Sequence, residues 1–246
     1  MINLIGQRSR LAGFVHWRVL CLASQLFLCH NVLAQVRLGR PADDHLQPVS
    51  NYFSAYRYED EYYSKIRRYL LDSLGDRPIA RVVVKPSFSE EYVVSVDSSN
   101  QSYYLTHSRV NKNIWYAKSK DSLRVSTTKV RIGKPLAQAI NQLFFEAAAQ
   151  ARYPKRRIFK GPNGEELEEM SIGTDGTTYV FMGFGYGHGI WSGQTWSPLK
   201  ETRMNDLVAI SDAMIRLATN ATNKQAQETA LLQQCQNLYK KIAESR

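Results

Sequence analysis

Four glycines alternate with larger residues in FMGFGYGHGIWSGQTWSP, residues 181–198. They are Gly183, Gly185, Gly187 and Gly189, with Phe184, Tyr186, His188 and Ile190 between or just after them. Such a stretch can serve phosphate cradling, acid–base catalysis at the histidine, or recognition by an aromatic-lined loop. A P-loop needs a lysine followed by serine or threonine after its last glycine, and none follows here. A dinucleotide fingerprint needs a helix that begins inside the motif and takes the pyrophosphate on its first turn. The run from Ile190 to Trp196 is strand-like instead, which argues against phosphate binding. Recognition remains: Tyr186, His188 and Trp191 are the expected ligand- or partner-binding residues, because function tends to sit on loops held by a rigid scaffold.

A neutral imidazole is the usual general base. His188 would need a nucleophile and an orienting carboxylate, and Ser192 and Asp175 are the nearest by sequence. No G-x-S-x-G elbow exposes a serine, so no catalytic residue is assigned. Metal binding has less support, since His45, His107 and His188 lie far apart and there is no H-E-x-x-H. No metal and no cofactor is expected. Carboxylates pair at Glu90–Glu91 and cluster at Glu165, Glu166, Glu168 and Glu169. Nothing in the sequence selects two of them to face each other across a glycosidase cleft.

The strongest electrostatic feature is Arg152, Lys155, Arg156, Arg157 and Lys160, interleaved with Tyr153 and Phe159. Positive charge at a helix exit favours the helix dipole, which accounts for Arg152 but not for the whole group. The cluster is expected to meet an anionic surface: a lipid headgroup, an anionic envelope polymer or an acidic protein.

The N-terminus bears on that choice. Arg8, Arg10 and Arg18 precede an apolar run from Val19 to Leu28, and Val32-Leu33-Ala34 supplies a cleavage-site pattern. This is the pattern of a secretory signal, with the cut expected after Ala34 and the mature chain secreted or periplasmic. The run is shorter than the roughly 20 residues a spanning helix needs. Export argues against nucleic acid as the partner. Loss of residues 1–34 removes three arginines and no acid, so the formal charge falls from +10 to +7. It also removes Cys21 and Cys29, leaving Cys235 alone in a helical segment, where a buried structural thiol is expected.

The elements that must position these residues follow from periodicity. Residues 35–50 carry two prolines and no period, and read as a linker; residues 51–246 read as one domain. Helical spacing runs from Asn51 to Gly75. Strand-like runs follow at 79–86, 91–97 and 101–107, then 113–119 and 123–132 as a second hairpin. Pro135 opens a helix whose apolar stripe is Leu136, Ile140, Leu143, Phe144 and Ala147. Asp175-Gly176 between 167–174 and 177–183 signals a further hairpin. Tyr179–Gly183 and Ile190–Trp196 are expected to pair, joined by the glycines as a wide, mobile loop, with Trp196 anchoring a core edge. Two helices close the chain, their faces marked by Met204, Leu207, Val208, Ser211, Met214 and Ala218, and by Leu231 or Leu232, Cys235, Leu238 or Tyr239, and Ile242. The expected fold is α+β, an antiparallel meander packed by helices with a C-terminal αα-hairpin. The expected function is non-catalytic binding or envelope association. The alternative is a hydrolase of the same compartment, which would need convergent polar groups with perturbed pKa values in a cleft.

Overall fold

Valine-rich segments with few polar members can be buried on both sides of a sheet, and β2, Ala80–Pro86, is one of these: its first five residues are all buried. In the computed structural model, which describes residues 44–49, 57–118, 123–154, 158–168, 175–220 and 222–245, β2 is the central strand of seven. The others are β1 (Gln47–Pro48), β3 (Tyr92–Ser99), β4 (Ser102–Val110), β5 (Val125–Ile132), β8 (Thr177–Gly185) and β9 (Gly189–Trp196). Their order is β1-β9-β8-β2-β3-β4-β5, with every neighbouring pair antiparallel. A separate ribbon joins β6 (Ile158–Lys160) to β7 (Glu166–Glu168).

Alternation along the strands builds two cores. Ala80, Val82, Val84, Val94, Val96, Leu105 and Phe181 face three helices: α2 (Lys134–Ala149), α3 (Arg203–Thr219) and α4 (Lys224–Ala243). Each helix turns its apolar stripe inward, including Leu143 and Phe144, Leu207 and Met214, and Cys235 and Leu238. The opposite face carries Val83, Val93, Val110 and Val180. It is covered by α1 (Arg57–Ile66), the π turn Arg67–Leu71, and Ile114 and Leu123. The fold is therefore α+β, with a C-terminal helical hairpin as expected.

Two local expectations are corrected. Residues 113–118 form no strand. Ile114–Tyr116 is a turn in which Asn113 Oδ1 accepts from the backbone N–H of Trp115 and Tyr116, so β5 pairs with β4 rather than with this run. A buried carboxylate is the physical reason. Glu91 is fully buried and accepts from Ile114 N–H (2.7 Å) and from the Tyr62 hydroxyl (3.0 Å), holding the turn and α1 to the sheet. Residues 169–174 of the strand expected before Asp175-Gly176 lie outside the described residues, and the strand after it, β8, pairs with β2 and β9 on its two edges. The Gly176 carbonyl accepts from the N–H and hydroxyl of Ser87. The end of the segment read as a linker is built into the domain: Leu46 is fully buried, and Asp44 pairs with Arg203 at 2.7 Å.

Candidate recognition surface on the β8–β9 hairpin

A further correction lies at the glycines. β8 and β9 remain paired up to Gly185 opposite Gly189, leaving only Tyr186, Gly187 and His188 in the turn. The connection is tight, not wide. His188 N–H donates to the Gly185 carbonyl (3.0 Å), and Gly187 and Gly189 take φ of +76°, where a side chain is strained. Gly183 and Gly185 serve packing. A Cβ at Gly183 would lie 2.6 Å from Phe145 Cα, and one at Gly185 would collide with the Phe145 ring, 2.6 Å from Cζ and closer still to Cε2. Their absence lets α2 lie directly on β8. Asn141 of α2 then binds the strand edge, with Nδ2 donating to the Phe184 carbonyl (2.9 Å) and Oδ1 accepting from its N–H (2.8 Å).

This support fixes an aromatic group. Phe145, His188 and Trp191 stand within ring contact of one another, with centroid separations of 5.7–6.1 Å. The structure thus brings two of the three expected residues together and adds Phe145, which the sequence reading assigned to no site. Tyr186 is 97% exposed at the apex, and Phe184, Ile190 and Trp191 are each about 40% exposed beside it. No residue from Thr177 to Leu199 carries a formal charge.

Catalysis at His188 has no geometric support. The imidazole contacts rings, and no described hydroxyl or carboxylate is hydrogen-bonded to it. Ser192 opposes Met182 and so points to the other side of the sheet from Trp191, which opposes Gly183. Asp175 lies ten residues along the chain from Gly185, about 30 Å at strand rise. Among the described residues no group of three or more His, Cys, Asp or Glu could hold a metal ion.

Arg152 and Lys160 are exposed, while Lys155, Arg156 and Arg157 lie outside the described residues, as does the leader. Cys235 is buried, and desolvation pushes its thiol up to about 12, the state of an inert structural cysteine. Trp196 is 41% exposed and packs over Gly176 rather than into the core. No described helix is long and apolar enough to cross a membrane.

Sequence reasoning missed one polar row. Tyr92 and His107 meet edge to face (5.9 Å) on the sheet side that faces α3, with Tyr179 and Asp212 close enough to influence the charge of Tyr92. Burial raises the pKa of Tyr92, Tyr179 and Asp212 and lowers that of His107, to which the nearby Arg109 adds. Every shift favours the neutral form, which makes the row a desolvated seam under α3. The strand period would have placed His107 inward, but no spacing links it to Asp212. Comparison with protein-family models, with curated proteins and with solved structures finds no match to this chain.

Proposed function

We propose that the chain is an exported, non-catalytic binding protein that recognises an envelope component through the tip of the β8–β9 hairpin. The observation that carries this reading is the pairing of exposure with rigidity. Tyr186 is exposed at the apex, with Trp191 packed on Phe145 on one side of the sheet and Phe184 and Ile190 exposed on the other, and Asn141 holds the backbone of Phe184. An apolar patch presented in this way on a domain surface marks an interaction site, and a rigid one loses little entropy on binding. The leader pattern of residues 1–34 supports export, and the basic stretch from Arg152 to Lys160 supports attraction to an anionic surface.

Sedimentation of the purified protein with isolated envelope fractions tests the reading. Tyr186→Ala combined with Trp191→Ala should reduce the bound fraction at least fivefold, with unfolding midpoints near the parent's. Exposed Leu199→Ala serves as the surface control. Equal sedimentation of the tip variant and the parent would remove the hairpin from the proposal.

A further inference from the structure

We propose that a second, separate site on the same hairpin binds one pyranose ring of a glycan. The register places its groups. Trp196 opposes Thr178, which opposes Lys85, so these three lie in one row across β9, β8 and β2. Gln194 opposes Gln47 and lies two residues before Trp196, so the two amides form the next row on the same side of the sheet. Tyr63 of α1 stands over this floor, with Lys85 Nζ 4.9 Å from its ring centroid. The result is a hollow of about 260 Å³ lined by Gln47, Tyr63, Lys85, Thr178, Gln194 and Trp196.

Three properties select a sugar. The hollow is smaller than the roughly 300–1,000 Å³ of sites for drug-sized ligands, which suits a single ring. The side chains of Gln47, Gln194 and Thr178 form no hydrogen bond to any other described residue. They hold amide and hydroxyl groups, each able to donate and accept, as vicinal hydroxyls require. Trp196 is 41% exposed at the rim, and its indole is seated on Gly176, where a Cβ would come within 2.6 Å of the ring. An anchored aromatic face beside unpaired amides presents one apolar and one polar wall, matching the C–H face and the hydroxyl edge of a pyranose. The strand end is fixed as well, since Thr177 N–H donates to the Ser197 hydroxyl (2.8 Å) and Ser197 N–H to the Thr177 carbonyl (2.9 Å). A phosphate or a metal ion would find no such match, because neutral amides dominate the floor and Lys85 is the sole charged member among the described residues that line it.

The test titrates the full chain with glucose, galactose, N-acetylglucosamine, cellobiose, chitobiose and lactose, each to tens of millimolar, following side-chain signals by NMR. At least one sugar should shift the Gln47 and Gln194 amides together with the Trp196 indole N–H. Trp196→Ala should weaken that sugar at least tenfold. Gln194→Leu, which keeps the indole in place, should weaken it by a similar factor if Trp196→Ala impairs folding. Tyr186→Ala should leave sugar binding unchanged, so a failure here is separable from a failure of the hairpin tip. Absence of shifts with all six sugars, or shifts that persist in Gln194→Leu, would overturn the assignment.

Discussion

Glycines a few residues apart do different work here, and substitution separates the roles. Gly183 is needed for space: a methyl group there meets the backbone of Phe145, so Gly183→Ala should destabilise by about 1–3 kcal/mol, the range of overpacked sites. Gly187 is needed only for its positive φ and has open space around it. Asparagine tolerates that conformation, so Gly187→Asn should lie within about 0.5 kcal/mol of the parent, as surface changes usually do. Urea unfolding of the two variants checks both. Glu91 makes a prediction of opposite sign to that of a salt-bridged carboxylate. Burial raises its pKa above the ordinary 4.5, the effect outweighing its hydrogen bonds to Ile114 and Tyr62. A carboxyl that holds its proton more tightly when folded contributes stability that is fully present below its unfolded pKa and lost as pH rises through the folded one. The stability of the parent relative to Glu91→Gln should therefore decline as pH rises from about 4.5. A difference independent of pH would show that Glu91 titrates alike in both states.

β5 ends the sheet, and its outer edge pairs with no other described strand. Asn111 N–H donates to the Arg124 carbonyl at the start of its ladder with β4. The antiparallel alternation then turns Ser126, Thr128 and Val130 toward β4 and leaves the backbone groups of Thr127, Lys129 and Arg131 pointing outward. Charged side chains on such an edge discourage pairing with another copy. Antiparallel pairing of two β5 strands at full overlap sets Lys129 opposite or diagonal to its counterpart, and like charges so placed repel. Replacing Lys129 and Arg131 together by threonine should therefore raise self-association, measured as an increase in weight-average mass by analytical ultracentrifugation at unchanged helix content. A variant as monodisperse as the parent would show that the edge is protected by other means.

At the scale of the whole molecule, the export reading predicts that protein recovered from its native compartment begins at Gln35, its intact mass lower by residues 1–34. Recovery with Met1 in place would reject it. Periodicity by itself determined the helices and most of the strands, because a side chain's face follows from its spacing alone: the stripe Leu136, Ile140, Leu143, Phe144 and Ala147 is buried to the last residue. It also marked the aromatic tip, since exposed rings beside glycine can be read from residue type and order. Strand partners were less legible. Residues 113–119 have strand-like composition, yet a single buried carboxylate claims the Ile114 N–H and bends the chain. The tertiary structure alone decided that Gly183 and Gly185 serve the close approach of α2, and that Phe145 joins His188 and Trp191. It alone brought Gln47 and Tyr63 to one hollow with Trp196, which lies more than a hundred residues further along the chain. Such contacts depend on register and on the approach of a helix to a sheet. Those are set by the sum of many packing interactions, and local spacing carries no record of them.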